Sequence, residues 1–294
     1  MVCPLITVVI PTYNRLWGLK KAVDSILGQD AVSWIIQIVD DGCESDALDH
    51  VNGLKDPRIR YFRQEKNVGV SRNWIHGINL VETEYCCLLM DDDWYCPSFL
   101  SSRLEILKAN KNIGLVYGPY KRWEKNKIVE KVILPKYSGL ISNSELNKAM
   151  LIRDNFIGST MFRSGILKSI VKKCENTGLI IDYPLSVYSS CFSKCDGFVI
   201  SENNFNYLNH TETLSNLKTE IAWEQTFHFL KELQSKGLID NSSISSEIYY
   251  QSRVHSRLAK NYLSRILWGC RSIRAKPFYA GGYFQLIKNF LLID

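Results

Sequence analysis

The sequence predicts an α/β fold, a mostly parallel central sheet with helices on both faces, followed by a helical basic tail. Three observations predict it. Over roughly the first 120 residues, short Val-, Ile- and Leu-rich runs alternate with segments of helical period. Several of those runs end abruptly in carboxylates, as buried parallel strands do when they deliver charge to the crevice at their carboxyl ends. From Gln251 onward, Arg253, Arg257, Lys260, Arg265, Arg271, Arg274, Lys276 and Lys288 stand against Asp294 alone, so the tail carries the whole excess of a net charge of +6.

Residues 5–10 read as a buried strand stopped by Pro11, after which Leu16, Leu19, Val23, Ile26 and Leu27 recur at helical spacing. Residues 34–39 form a second strand ending in Asp40-Asp41-Gly42, where the glycine permits a tight turn. Ser45 or Asp46 caps a short helix holding Leu48 and Val51. Residues 59–62 make a third strand, and Asn67-Val68-Gly69 turns the chain into a helix marked by Trp74, Ile78 and Val81. The fourth strand, residues 85–90, runs into Asp91-Asp92-Asp93.

Beyond it come a helix through Phe99, Leu104 and Leu107, a strand at 113–117 and a hairpin arm at 128–134. Residues 142–170 start helical and turn strand-like around 158–162. A loop from Thr177 ends in a lone acid, Asp182, before a helix from Pro184, and strands at 198–200 and 205–209 deliver His210 at an end. Val254, Leu258, Tyr262, Ile266 and Cys270, at four-residue intervals, predict one basic amphipathic helix. A further apolar stretch, 278–293, is expected to break at Gly281-Gly282.

With 46% hydrophobic and 22% charged residues among 294, the chain has material for a sizeable core. Residues 1–218 are expected to form the nucleotide-binding domain and 219–294 the tail. The amino terminus shows no basic leader or cleavage site, so no signal peptide is expected, and no run reaches the roughly 18 apolar residues of a spanning helix. Nine scattered cysteines, Cys191 and Cys195 among them on one helix, lack paired zinc spacing and suit a reducing cytosol. Tyr262 and Trp268 beside basic residues suit a helix lying on an anionic membrane surface, at the inner face of the cytoplasmic membrane. Packing on the catalytic domain or on a second subunit satisfies the same pattern. Nucleic acid is not expected, because the basic residues interleave with a regular apolar face.

Three adjacent acids repel one another and are costly to bury, which calls for a positive partner. Strand alternation places Asp91 and Asp93 on one face with Asp92 turned away or following the loop. Two such oxygen ligands, with water and phosphate completing the shell, suit Mg²⁺ or Mn²⁺ bound together with a nucleotide. A solvated acidic turn is the plainer alternative.

Four segments then coincide: Val9-Ile10-Pro11-Thr12-Tyr13-Asn14-Arg15, Val39-Asp40-Asp41-Gly42, Asn67-x-Gly69-x-x-Arg72-Asn73 and Leu89-Met90-Asp91-Asp92-Asp93. In this order and spacing the chain closely resembles the family 2 glycosyltransferases, inverting enzymes of the GT-A fold, departing from them at Cys43 and Met90. The resemblance implies that Pro11, Thr12, Tyr13 and Asp41 line a nucleoside pocket, with Asp41 accepting from a ring N–H and so favouring a UDP-sugar. It implies Arg72 near the diphosphate, Asp93 on the metal with Asp91, and Asp91 or Asp92 on ribose and metal-bound water. Asp182 matches the family's catalytic base, although its usual acidic neighbour is missing, and His210 matches a late histidine near metal and phosphate. The expected reaction moves a sugar from a nucleoside-diphosphate sugar to a saccharide hydroxyl on a polyprenyl-diphosphate-linked acceptor in bacterial surface polysaccharide synthesis. Two alternatives stand beside it. One is a non-catalytic nucleotide- or carbohydrate-binding module; the other is a metal-dependent nucleotidyltransferase, whose glycine-rich phosphate loop is absent from residues 11–15.

Overall fold

Every residue of β1 (Ile6–Thr12) and β2 (Trp34–Asp40) is buried, which is why both read as unbroken apolar runs rather than alternating ones. The computed structural model describes residues 4–30, 33–42, 47–124, 127–175, 177–211, 219–259 and 262–291. Ser45 and Asp46, the expected helix caps, lie outside the described residues. The chain divides into two compact units, residues 1–213 and 214–294.

In the first unit β1 is followed by α1 (Leu16–Leu27), β2, α2 (Ala47–Leu54), β3 (Ile59–Arg63), α3 (Val70–Asn79), β4 (Tyr85–Leu88) and β5 (Trp94–Tyr95). Then come α4 (Phe99–Ala109), β6 (Ile113–Tyr117), β7 (Tyr120–Glu124), β8 (Lys127–Ile133), β9 (Gly139–Ile141) and α5 (Asn143–Leu151). The unit closes with β10 (Met161–Arg163), α6 (Ser164–Ile170), α7 (Asp182–Ser193), β11 (Asp196–Val199) and β12 (Phe205–Asn209). An eight-stranded sheet has the order β3-β2-β1-β4-β10-β6-β11-β9, and a four-stranded sheet the order β5-β12-β7-β8. Strands β3, β2, β1 and β4 are parallel, while β10 runs against both its neighbours. The strand order reverses at β1, which sits between β2 and β4 and so opens a crevice at its carboxyl end.

Ile6, Val8 and Ile10 pack with Leu19, Ala22, Val23 and Ile26 of α1 and Phe99, Leu100 and Leu104 of α4. On the opposite face α3 comes so close that a Cβ on Gly77 would lie 2.6 Å from Val9 Cγ1. Helices therefore cover both faces. From α4 the fully buried Arg103 donates to the Ser159 carbonyl at 3.0 Å and Asn204 Oδ1 at 2.8 Å, and burial lowers its pKa to about 10.

Strand β1 runs through Pro11 instead of stopping there. Val9 O accepts from Leu89 on the β4 side and Thr12 O from Asp41 on the β2 side, so the Pro11 nitrogen faces the flank where pairing with β4 has already ended at Leu88. Helix α7 begins at Asp182, and Pro184 lies in its first turn, where a missing N–H costs nothing. Cys195 lies beyond that helix, past Lys194 at φ 54°, and not on it with Cys191.

The second unit contains α8 (Thr219–Lys236), α9 (Asn241–Leu258), α10 (Tyr262–Ala275) and α11 (Ala280–Leu291). The single amphipathic helix expected from Val254 to Cys270 is two helices, because Ala259 turns extended at ψ 134° and breaks the phase. Along the expected stripe Leu258 is 62% exposed, whereas Ser252, His255, Ser256, Trp268, Gly269 and Ser272 are buried. Gly281 and Gly282 do not break the last stretch but lie within α11, where a Cβ on Gly282 would sit 3.1 Å from Ser272 Oγ. No helix among the described residues is long and apolar enough to cross a membrane.

Candidate active site

The parallel strands β1 and β4 end side by side, and their extensions meet. Thr12 Oγ1 donates to Asp91 Oδ2 at 2.8 Å, and Arg15 Nη1 reaches Asp91 Oδ1 at 2.6 Å and Asp92 Oδ2 at 3.1 Å. Asn14, at φ 51°, makes the sharp bend that brings Arg15 back over the strand ends, a conformation asparagine tolerates better than most residues. Helix α1 then starts so near the acids that a Cβ on Gly18 would lie 2.2 Å from the Asp91 carbonyl oxygen. Only glycine permits that approach.

Strand alternation does not continue through the acids. The Asp93 N–H bonds back to Met90 O at 3.1 Å, closing a turn, so Asp91 and Asp92 share Arg15 while Asp93 points elsewhere. Asp93 is fully buried, its Oδ1 accepts from the Leu208 backbone N–H at 2.9 Å, and its Oδ2 has no hydrogen-bond partner among the described residues. The pairing of β5 with β12, Trp94 opposite Asn206, sets this register and carries His210 to the acids. His210 Nε2 lies 2.9 Å from Asp92 Oδ2, and Trp17, 42% exposed, stands edge-on to its ring at 5.6 Å. The geometry thus corrects the expectation that Asp91 and Asp93 share a face with Asp92 turned away.

Burial, added to by the charge of Asp92, raises the Asp91 carboxyl to about 6 against the pull of Arg15 and Thr12. Asp93 is raised well above the ordinary carboxylate range, first by burial and then by Asp92. Asp92 Oδ2 and His210 Nε2, side by side at the strand ends, are donor types that a divalent cation accepts. Among the described residues no three His, Cys, Asp or Glu side chains converge as a complete metal site, so Asp92 and His210 would leave most positions to phosphate oxygens and water.

The remaining expected residues are distributed around this cluster. Pro11 and Thr12 are buried and Tyr13 is 47% exposed at the end of β1. Asp41 bonds through its backbone N–H to Thr12 O at 2.9 Å, but its carboxylate holds the Val68 and Gly69 N–H groups at 2.7 and 3.0 Å. It clamps the loop entering α3 rather than standing open for a base; burial raises its pKa and the two backbone bonds lower it. Gly42, at φ 77°, allows that loop to close, since a Cβ there would meet the Lys66 carbonyl carbon at 2.8 Å. Arg72 lies exposed on α3 and makes no ion pair with the acids. The cation that pairs with the acids is Arg15, three residues after Thr12 in the segment Val9 to Arg15.

Asp182 is half-buried at the start of α7, its carboxyl pushed up by burial and pulled back by Arg153 and the Tyr183 backbone N–H. The Arg153 guanidinium stacks 3.9 Å from the Tyr183 ring centroid, and Tyr183 Oη anchors the helix to the Leu151 carbonyl at 2.7 Å. Ser71, on the first turn of α3, donates to Gly178 O and so ties the segment before Asp182 to the same end of the sheet.

The Glycosyl transferase family 2 model matches residues 7–171, more than half of the chain, and takes in Thr12, Arg15, Asp41 and all three acids. The chain belongs to that family. Its curated relatives include the GalNAc(5)-diNAcBac-PP-undecaprenol beta-1,3-glucosyltransferase of Campylobacter jejuni, 30% identical over 56% of this chain and 54% of that protein. Another is the putative colanic acid biosynthesis glycosyl transferase WcaA of Escherichia coli, 36% identical over 37% of this chain and 38% of that one. A third, the E. coli UDP-Glc:alpha-D-GlcNAc-diphosphoundecaprenol beta-1,3-glucosyltransferase WfgD, is 23% identical over 51% of this chain and 60% of its own length. The matches thus span between 38% and 60% of the length of these glycosyltransferases. Residues 1–349 of TarS from S. aureus, solved with UDP-GlcNAc, superpose with a TM-score of 0.67 at 14% identity, covering 97% of this family 2 chain and 89% of that one. That likeness establishes the shared GT-A fold.

Proposed function

We propose that this glycosyltransferase moves a sugar from a UDP-sugar to a hydroxyl of a saccharide carried on a polyprenyl diphosphate, with inversion and with Mn²⁺ or Mg²⁺, in bacterial surface polysaccharide synthesis at the cytoplasmic face of the membrane. The observation that carries the reading is the cluster of Thr12, Arg15, Asp91, Asp92 and His210 at the ends of β1 and β4. The Campylobacter glucosyltransferase and E. coli WfgD are both named for undecaprenol-diphosphate acceptors, which supports the acceptor class. The WfgD name and the UDP-GlcNAc complex of TarS support a uridine donor.

A divalent cation held by Asp92 and His210 would supply charge neutralisation on the departing diphosphate. Arg15 supplies a fixed positive charge beside the same carboxylates, and its placement costs no reorganisation during the reaction. Asp93 fixes β12, and so His210, through the Leu208 N–H; this reading moves the cation from Asp93 to Asp92. Asp182 takes the proton of the acceptor hydroxyl, and its raised carboxyl pKa makes it a stronger base than an exposed aspartate. Attack opposite the leaving diphosphate inverts the anomeric centre in one displacement.

The test is to incubate the protein with UDP-glucose or UDP-GlcNAc and a saccharide-diphosphate-lipid acceptor, and to read UDP release and product anomer by NMR. A single product of inverted configuration, dependent on Asp182, is expected. Pyrophosphate release from a nucleoside triphosphate, or a retained configuration, would contradict the proposal.

A further inference from the structure

Glycines bring α10 and α11 close to each other and α11 close to α9. A Cβ on Gly269 would lie 2.9 Å from Leu286 Cδ1, and one on Gly281 would lie 2.7 Å from Tyr249 Oη. Ser256 Oγ donates to Arg265 O at 2.8 Å across the α9–α10 junction. At these points glycine leaves room for a large side chain of the facing helix, Leu286 against Gly269 and Ile273 against Gly282. The contacts of Gly269 with Leu286 and of Gly282 with Ser272 make α10 and α11 the two arms of an antiparallel hairpin.

Other large apolar side chains of the hairpin stand outside. Leu263 and Leu267, one turn apart on α10, are 77% and 46% exposed, and Tyr283 and Ile287, one turn apart on α11, are 46% and 56% exposed. Between the arms Phe278 is 98% exposed, more than any other large hydrophobic residue among those described. Cations flank it: Arg274 is exposed on the last turn of α10, and Lys276 Nζ lies 4.7 Å from the Tyr279 ring centroid. Scattered exposed hydrophobics need no explanation, but two on each arm and a bare phenylalanine at the turn do. Apolar side chains interleaved with arginine and lysine, in a segment almost without acids, match an anionic lipid surface better than an electroneutral protein face.

We infer that the α10–α11 hairpin docks on an anionic membrane, inserting Phe278 and the leucines of α10 below the headgroups while Arg274 and Lys276 engage lipid phosphates. The inference rests on the proposed lipid-linked acceptor and names the surface that would bring the chain to it. No acidic residue lies between Gln251 and Ile293 to repel such a surface.

The test is co-sedimentation of the full chain with vesicles of equal phosphatidylglycerol and phosphatidylcholine, and with phosphatidylcholine alone. Wild type should bind the anionic vesicles and not the neutral ones. Phe278→Ser should weaken binding about tenfold, as should Leu263→Ser combined with Leu267→Ser. Arg274→Gln with Lys276→Gln should weaken it by a similar factor and flatten its salt dependence. All these positions are at least partly exposed, and unchanged thermal unfolding would verify that each variant folds. Equal binding to neutral vesicles, no binding, or a concentration-dependent dimer abolished by the leucine variants would overturn the inference, the last by assigning the face to a second copy. UDP binding measured in parallel separates this failure from that of the donor reading, because none of the substituted residues lies in the acid cluster.

Discussion

The two compact units differ in how much apolar area they leave outside. In the first, the strands β1, β2 and β4 and the helices around them bury nearly all their Ile, Val and Leu, and charge collects where two strands end. In the second, Leu230, Leu233, Ile244, Ile248 and Trp268 are inside together with Ser252, Ser256, Gly269 and Ser272, while Leu258, Leu263, Leu267, Phe278 and Ile287 are outside. One arrangement concentrates buried charge for chemistry, and the other keeps apolar area at the surface. The difference implies that substitutions in the first unit act on turnover and folding, whereas substitutions on the exposed face of the second leave both intact.

The largest expected effect is at Asp182, the proposed base. Asp182→Asn should lower kcat by about 10² to 10⁴ with donor affinity unchanged. Because burial raises the Asp182 carboxyl, wild-type kcat should rise with pH along a limb lying above the ordinary carboxylate range, and the variant should lack that limb. Arg15→Gln comes next, with an expected loss of about 10² to 10³ in kcat, since it removes the cation fixed beside Asp91 and Asp92.

Stability sharpens the contrast. Arg103→Leu strands the Ser159 carbonyl and Asn204 Oδ1 in the core and should cost about 2–3 kcal/mol in denaturant unfolding. Asp91 gives a signed pH dependence. Its folded carboxyl titrates at about 6, above the unfolded value, so the native state holds the proton more tightly. The stabilisation it contributes is complete below the unfolded pKa and is lost as pH rises through the folded one; Asp91→Asn should flatten the curve over that window. The smallest effect is expected at Leu267→Ser, within about 0.5 kcal/mol and without change in transfer to a water-soluble acceptor. A loss of several kcal/mol there would mean that the outer face is part of the fold, and the contrast between the units would fail.

The same contrast governs what was legible in the sequence. Fully buried strands announce themselves as unbroken apolar runs, so β1, β2 and β4, the carboxylates at their ends and the alternation with helices could all be read. The direction of each carboxylate could not, because the bond from Asp93 N–H to Met90 O ends strand periodicity one residue before the acids begin. Arg15 was legible as a cation near the first strand end, but its partner comes from a strand more than seventy residues later. Asp41 carried the right residue type at the right place and spends its oxygens on Val68 and Gly69. In the second unit, four-residue periodicity ran one amphipathic stripe through Leu258 and Tyr262, but the chain turns at Ala259, and buried Ser252, Ser256 and Ser272 share the interior with Leu230, Ile244, Ile248 and Trp268, so the packed faces carry a mixed hydrophobic signal.

The most direct test of the central claim is a calorimetric titration of UDP with and without Mn²⁺, comparing wild type, Asp92→Asn and Asp93→Asn. The account predicts Mn²⁺-dependent binding that Asp92→Asn abolishes and Asp93→Asn preserves, since an asparagine Oδ1 can still accept from the Leu208 N–H. Binding that survives Asp92→Asn, or that disappears only in Asp93→Asn, would contradict it.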